Sequence, residues 1–390
     1  MAAAMGRLRL QAFKSAELPI VAARAAKELQ RRLDEGPRSR VAVVKQDVHD
    51  DLYACAPGAS AAETVLSTYF RSGPAALFTK LAADFRVVRS EGDPECRIWE
   101  QKWTECRWCP LEYFEAFRDH IPGRAYGNGA FAVDAASIDW GGYDLVISSD
   151  VSVPARVTKE YPRTVWCYYV REVKTSAYAR SLEAPLAGQD IHLTQAFRPF
   201  VPRSTRRPHN VEFPYFLHYY GCFHELMGRP LDGERHGTFL EHHTDRALAA
   251  AQRSVLARAV PLFDRGPSSP AAEPEVPMPL GDHLDGLMSS KYFVKAGGRP
   301  VWGNSMVEAI AAGCLAIGDP TQHSCPFLFE KETSASSVEE VAERIRAFEA
   351  DTSLYRWIVR RQRALIDYLC YTRPLLELMR TAERVRSTRA

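Results

Sequence analysis

The sequence lacks any run of apolar residues long enough to cross a membrane. No window of its 390 residues approaches the roughly 18–20 uninterrupted apolar residues that a membrane-spanning helix needs, and the N-terminus lacks the compact apolar core of a secretory signal. Residues 1–33 are rich in Ala, Arg and Leu, and their first acid is Glu17. This composition favours an amphipathic surface helix, with a mitochondrial transit segment as the alternative. We therefore expect a soluble, cytoplasmic protein.

A strong net charge is also lacking. The 50 Lys and Arg residues nearly balance the 48 Asp and Glu residues, which leaves a net charge of +2. Such a balance gives no global field that would capture nucleic acid or an anionic membrane. Clustered arginines occur at 203, 206 and 207, but they are not interleaved with stacking aromatic residues. We predict no nucleic-acid partner and expect any anion site to be local.

A disulfide framework is absent, because the nine cysteines are odd in number and scattered along the chain. This distribution is typical of reduced thiols in a cytosolic protein. Cys96, Cys106, Cys109 and His120 could supply four soft ligands to a tetrahedral zinc. Buried free thiols in an aromatic-rich segment are the default interpretation. We predict no metal, and the zinc alternative stays open.

What the sequence does contain is enough apolar material for two domains. The chain is 46% hydrophobic and 25% charged, and it exceeds the ~250–300 residues at which one core stops growing. Residues 40–45, 143–149 and 163–170 are β-branched or aromatic runs bounded by turn residues, and they alternate with stretches compatible with helices. This alternation predicts an α/β fold in which parallel strands are covered on both faces.

The predicted interdomain linker is the segment 197–214, where four prolines, together with Arg203, Arg206 and Arg207, interrupt every periodic pattern. We place an N-terminal Rossmann-like domain at 1–205 and a C-terminal one at 206–372, facing each other across a cleft. Residues 373–390 form a tail, and its packing back on the N-terminal domain is left open. Residues 215–221 are predicted to be a strand, and 238–262 carry a helical pattern.

A compact strand–helix–strand unit is predicted from residue 291 onward. Residues 291–295 and 314–318 have the apolar character of buried strands, and 305–313 that of a helix. Helices are predicted at 338–349 and 353–370. The arginines of the last helix, at 356, 360, 361 and 363, indicate a solvated helix face.

The loop-to-helix step at the centre of this unit has the residues of an anion site. Gly303 lets the backbone approach a ligand, and the next helix presents unpaired amides at its N-terminus, an end that attracts phosphate. Glu308 lies one turn further on, where a carboxylate could accept two ribose hydroxyl protons. The alternative is a capping box, in which Ser305 and Glu308 satisfy backbone amides of the helix.

The string SSKYFVKAGGRPVWGNSMVEAIAAGCLAIGDP resembles the nucleotide-binding βαβ segment of GT-B glycosyltransferases, of the group 1 or exostosin-like kind. The matching positions are Gly303, Ser305, Glu308, Ala309, Gly313 and the strand 314–318. The resemblance implies that Glu308 binds the ribose of a nucleotide-sugar and that the loop amides contact its diphosphate or sugar. It covers about thirty residues, and over the rest of the chain it is architectural only.

A diphosphate also needs cations to compensate its charge. Lys295, Arg299 and Arg229 are the candidates, and Gly221 would let a first loop of the second domain approach the phosphates. The predicted donor-binding set is therefore Gly221, Arg229, Lys295, Arg299, Gly303, Asn304, Ser305, Met306 and Glu308.

One position departs from the family pattern. Many retaining members carry a second glutamate eight positions before the first, and here that position is Pro300. Retention or inversion of the anomeric centre is therefore left open.

The candidate catalytic residues lie in the first domain. His49 follows the first predicted strand among carboxylates that include Asp47, and a histidine whose charge an aspartate stabilises can act as general base for an acceptor hydroxyl. Asp150 follows the next predicted strand on the same rim. The alternative for the first loop is an Asp-rich turn with an exposed His.

These features together predict a glycosyltransferase, hexosyl or related. It would transfer sugar from a nucleotide-diphosphate donor to a hydroxyl of a glycan, lipid or small molecule, with no cofactor and no metal. The alternatives are a non-catalytic GT-B protein that binds glycan or nucleotide, and a nucleotide-sugar epimerase.

Overall fold

The structure is a computed structural model, and it describes most of the second half of the chain and shorter segments of the first half. The described residues are 18–36, 39–46, 81, 83–88, 135–149, 153, 155–170, 188–194, 209–213, 234–240, 246–259, 286–295, 304–322 and 328–389.

The described segments form nine strands and seven helices of six or more residues. The strands are β1 (Val41–Gln46), β2 (Asp84–Val88), β3 (Leu145–Ser149), β4 (Val165–Val170), β5 (Ile191–Thr194), β6 (Asn210–Glu212), β7 (Thr238–Leu240), β8 (Tyr292–Lys295) and β9 (Leu315–Gly318). The helices are α1 (Leu18–Glu35), α2 (Ala155–Glu160), α3 (Arg246–Ala259), α4 (Asn304–Ala312), α5 (Val338–Ala350), α6 (Thr352–Asp367) and α7 (Arg373–Ser387).

The first sheet is parallel throughout, in the order β2-β1-β3-β4-β5-β6. Its strands are buried on both faces, as the continuous apolar runs predict. Ala42 and Val44 pack with Val157 of α2 on one face, and Leu145 lies with Met379 of α7 on the other. The strand order reverses between β1 and β3, so these neighbours flank the topological switch point of the sheet.

The second sheet is also parallel, in the order β7-β8-β9. One face is covered by a core that includes Leu240, Val294, Ile317, Ile345 and Val359, from three strands and two helices. Helix α4 packs against β8, β9 and α6. Both sheets together confirm the predicted α/β class with parallel strands.

The chain divides into two compact units. One comprises Met1–Arg24 and Cys222–Tyr368, and the other Ala25–Gly221 and Leu369–Ala390. The first sheet includes β6, which pairs with β5 through Leu193 and Val211. The unit that contains the first sheet therefore includes β6, which lies inside the segment predicted to be a linker.

The C-terminal helix belongs to the unit of the first sheet, and ion pairs hold it there. Arg386 Nη1 lies 2.8 Å from Asp144 Oδ1, and Arg373 Nη2 lies 3.1 Å from Glu212 Oε2. A π-helical turn, Tyr368–Thr372, joins α6 to α7, so the chain passes between the units without leaving helical conformation.

Most predicted elements within the described residues are confirmed, with two corrections. Residues 238–262 do not form one helix, because Thr238–Leu240 is a buried strand and the helix begins at Arg246. The face of α6 is not wholly solvated, because Arg363 is 8% exposed. The predicted strand 215–221 lies outside the described residues.

Two predicted absences concern membranes and metals. Among the described residues no helix is long and apolar enough to span a bilayer, and no cluster of three or more His, Cys, Asp or Glu side chains could hold a metal ion. Cys96, Cys106, Cys109 and His120 lie outside the described residues, so the zinc alternative stays open.

Candidate functional site

The predicted βαβ unit of the second sheet is present. Strand β8 runs parallel to β9, with Lys295 opposite Gly318 at their carboxyl ends, and α4 connects the two strands. Because a crossover helix starts where the first strand ends, the N-terminus of α4 lies at the carboxyl edge of the sheet. That edge is where open parallel sheets bind ligands.

A Schellman motif ends α4. Gly313 has a φ of 95°, and its amide donates to Ile310 O at 3.0 Å, while the Cys314 amide donates to Ala309 O at 2.9 Å. A residue with a side chain would be strained at this φ, which explains why glycine follows the helix. The glycine of the family resemblance therefore serves to turn the chain from α4 into β9.

Glu308 is the only charged residue of α4, and it is 3% exposed. From Met306 to Ala312 every residue of the helix is buried, so the helix is covered on all sides. A carboxylate removed from water is costly unless hydrogen bonds or a cation compensate it. Glu308 is therefore a buried carboxylate in an otherwise apolar helix, near the start of that helix.

Helix α4 begins at Asn304, and Glu308 is its fifth residue. A capping box places a serine at the N-cap and a glutamate three residues later, which is the spacing of Ser305 and Glu308. The side chain of Ser305 lies outside the described part of the structure, so the capping-box alternative stays open.

Lys295 is the basic residue of the predicted donor set that the structure describes. It ends β8 and is 4% exposed, at the same sheet edge as the start of α4. Met306 is completely buried, and Asn304 and Ser305 form the first turn of the helix. The remaining predicted donor residues, Gly221, Arg229, Arg299 and Gly303, lie outside the described residues.

The loop after β9 brings a further polar group to this edge. Asp319 follows the strand, and its Oδ1 accepts hydrogen bonds from the Thr321 amide at 2.8 Å and from the Thr321 hydroxyl at 2.7 Å. This short turn fixes the direction in which the chain leaves β9. The Asp-Pro-Thr string at 319–321 is the sequence signal of this turn.

In the unit that contains the first sheet, the candidate catalytic residues follow the two strands that flank the switch point. Strand β1 ends at Gln46, directly before Asp47, and β3 ends at Ser149, directly before Asp150. The two strands are neighbours in the sheet. Asp47, His49 and Asp150 themselves lie outside the described residues.

Sequence reasoning missed the polar side chains that hydrogen-bond to backbone groups of the second sheet and of the segments beside it. Gln362 is 1% exposed, and its amide exchanges two 2.9 Å hydrogen bonds with the backbone of Ala316 in β9. Arg235 donates to Ser290 O and Ala312 O, the last carbonyl of α4. Burial lowers the pKa of Arg363, and the nearby Arg235 lowers it further. In the sequence, Gln362 lies among four arginines, and this pattern does not indicate a buried side chain that hydrogen-bonds to a strand.

No family model and no curated protein matches the chain. Solved structures with a similar fold include sucrose-phosphate synthase from Thermosynechococcus elongatus, at 12% identity and a TM-score of 0.45, covering 90% of this chain and 100% of that one. T4 phage BGT in complex with UDP and Mn²⁺ is similar at 7% identity and a TM-score of 0.42, covering 89% of this chain and 99% of that one. At these identities and TM-scores, function has to be argued from the residues of this chain.

Proposed function

We propose that the chain is a glycosyltransferase that transfers a sugar from a nucleoside-diphosphate donor to an acceptor hydroxyl. The observation that carries the proposal is Glu308, a buried carboxylate in the first turns of a helix that starts at the carboxyl edge of a parallel sheet. A ribose supplies two vicinal hydroxyls, which both donate to a carboxylate. The two oxygens of the Glu308 carboxylate can accept both of these hydrogen bonds.

The diphosphate of the donor would lie at the N-terminus of α4. The first amides of a helix have no intrahelical acceptor and carry a partial positive charge, which favours phosphate oxygens. The backbone amides of Asn304, Ser305 and Met306 would make these contacts. The Met306 side chain is buried, so this residue would contribute its amide and not its side chain. Lys295 at the end of β8 would supply a full positive charge at the same edge.

Leaving-group stabilisation follows from the same arrangement. When the bond between sugar and phosphate breaks, negative charge develops on the nucleoside diphosphate, and fixed amides and cations stabilise that charge without reorganising. We therefore expect transfer to need no metal and no other cofactor. Chelation with EDTA should leave turnover unchanged.

We assign activation of the acceptor to the unit that contains the first sheet. A general base has to take the hydroxyl proton as the new glycosidic bond forms, and His49 with Asp47 follows β1 beside the position where Asp150 follows β3. Ligand sites in open α/β sheets concentrate outside such a switch point. A cytoplasmic location and the absence of a nucleic-acid acceptor stay predictions.

The donor site is tested by the thermal stability of the chain against a panel of nucleoside diphosphates and nucleotide-sugars. A ligand at 100 times its dissociation constant adds about 2.7 kcal/mol of stability. We expect one base to raise the melting temperature of the wild type but not of Glu308→Ala. The control is Glu343→Gln, which removes an exposed carboxylate of the same unit and should respond as the wild type does.

Two outcomes would contradict the assignment. One is a folded wild type that no member of the panel stabilises. The other is a stabilisation that Glu308→Ala retains in full. Release of nucleoside diphosphate from the selected donor then separates a transferase from a protein that only binds the nucleotide.

A further inference from the structure

The unit of the first sheet contains a cavity of about 560 Å³. Val41, Asp84 and Leu145 line it, and they are the first residues of β1, β2 and β3. The cavity therefore lies at the amino ends of the strands. Strand β1 needs about 17 Å to reach its carboxyl end, so the cavity and Gln46 lie at opposite ends of the strand.

Helices α1 and α7 supply the walls of the cavity. Leu33 from α1 and Met379 and Ala382 from α7 line it together with Val41 and Leu145. The volume lies within the range of about 300–1,000 Å³ that is typical of sites for small molecules. Polar and charged residues supply nearly half of the lining, together with this apolar wall. An apolar part of a ligand would be removed from water here.

Charged groups of both signs surround the apolar lining, and the acids are already compensated. Glu383 accepts two hydrogen bonds from Arg32, at 2.7 and 2.8 Å. Asp84 accepts one from the hydroxyl of Tyr143, at 2.8 Å. Arg386, a third cation of the lining, pairs with Asp144. These pairs leave no net negative charge on the lining.

Arg40 is an exposed cation of the lining, and its backbone amide, not its guanidinium, donates to Asp144 Oδ2 at 2.9 Å. Within the described part of the chain its guanidinium makes no hydrogen bond or ion pair, and its Cζ lies 5.0 Å from the centre of the Tyr143 ring. The ring attracts the cation and limits its motion without using its N–H donors. Those donors therefore stay available to an anion.

We propose that this cavity binds a small amphipathic anion, with one carboxylate or similar monoanionic group beside Arg40 and an apolar body between α1 and α7. The apolar lining supplies the affinity for the body, and the single uncompensated guanidinium selects the charge. A bidentate contact between guanidinium and carboxylate would fix the orientation. The ligand is distinct from the sugar donor, so binding does not depend on the proposed transferase activity.

The test is titration calorimetry of the full chain with decanoate and with its uncharged analogue decan-1-ol. We expect decanoate to bind and decan-1-ol to bind more weakly. Arg40→Gln should weaken decanoate about tenfold to a hundredfold, since it removes a charge-assisted hydrogen bond, and should leave decan-1-ol unchanged. Arg356→Gln removes an exposed arginine of the other unit and should bind both as the wild type does.

Filling the cavity tests the location. Ala382→Leu and Leu33→Trp place extra volume into the cavity from opposite helices, and each should abolish decanoate binding in a protein that still unfolds cooperatively. Leu33 is half-buried, so Leu33→Trp serves if Ala382→Leu does not fold. Retained binding in a folded filled variant, equal affinity for decanoate and decan-1-ol, or no effect of Arg40→Gln would each overturn the proposal.

Discussion

Replacing Gln362 with Leu should destabilise the second sheet strongly, although no charge and little volume change. The Gln362 Oε1 atom accepts from the Ala316 amide at 2.9 Å, and its Nε2 atom donates to Ala316 O at 2.9 Å and to Leu328 O at 3.1 Å. The side chain thus pairs with β9 on the side away from β8, as a further strand would.

The expected cost follows from the burial of these groups. Ala316 is 1% exposed and Leu328 is 0% exposed, so water cannot replace the lost partners without opening the structure. A buried donor or acceptor left unsatisfied costs about 1–3 kcal/mol. For one amide and two carbonyls, which are not additive, we expect a loss of about 3 kcal/mol in the free energy of unfolding.

Native-state hydrogen exchange is the direct assay, because a chain of two units need not unfold in one step. The Ala316 amide should exchange about a hundredfold faster in Gln362→Leu than in the wild type, which follows from 1.4 kcal/mol per tenfold. The control is Arg360→Leu at an exposed position of the same helix, with an expected change within about 0.5 kcal/mol. Unchanged protection of Ala316 in Gln362→Leu would refute the reasoning.

Three further predictions concern single contacts. Gly313→Ala should cost about 1–2 kcal/mol because φ is positive, measured by urea unfolding; no loss would contradict the Schellman geometry. Burial raises the pKa of Glu349, but the interactions with Lys291 and a tyrosine lower it by more. The stabilisation from Glu349 is therefore present at pH 7 and is lost as the pH falls below the ordinary pKa of a glutamate. The difference in stability between the wild type and Glu349→Gln should shrink on acidification, and a constant difference would refute this. Arg373→Met should destabilise the unit that contains the first sheet by about 2–3 kcal/mol, since it removes the ion pair with the half-buried Glu212. Glu212→Gln in the same chain should recover part of the loss.

Strands with a continuous apolar run could be predicted from the sequence, and β2, β5 and β6, which lack one, could not. Strands β1, β3 and β4 begin with runs of four, three and six apolar or aromatic residues, which indicate burial on both faces. Strand β5 has four residues and β6 three. Strands β5 and β6 are defined by their pairing with neighbouring strands, and no local sequence pattern indicates that pairing.

The two wrong expectations share a cause. Thr238–Leu240 was assigned to a helix because the helical pattern that follows it is long, yet its position beside β8 makes it a strand. Arg363 was assigned to solvent from its charge, yet the packing of α6 against β9 and α4 places it inside. Tertiary contacts decided both, and propensity is a weak prior against them.

The candidate site was predictable where backbone geometry determines it. The glycine after α4 and the position of Glu308 follow from the strand–helix–strand pattern of residues 291–318, and the structure has both. The burial of Glu308 was not predictable, because it depends on helices and strands distant in sequence. The roles of His49, Asp47 and Asp150 stay predictions.

The central claim is that Glu308 accepts the ribose hydroxyls of a nucleoside-diphosphate donor. Calorimetric titration with the selected nucleoside diphosphate and with its 2′,3′-dideoxy analogue, in the wild type and in Glu308→Gln, isolates that contact as a cycle. We predict that the wild type prefers the ribonucleotide by at least tenfold and that Glu308→Gln loses most of this preference while binding the dideoxy analogue as before. A preference that survives in Glu308→Gln, or an equal loss of affinity for both ligands, would contradict the claim.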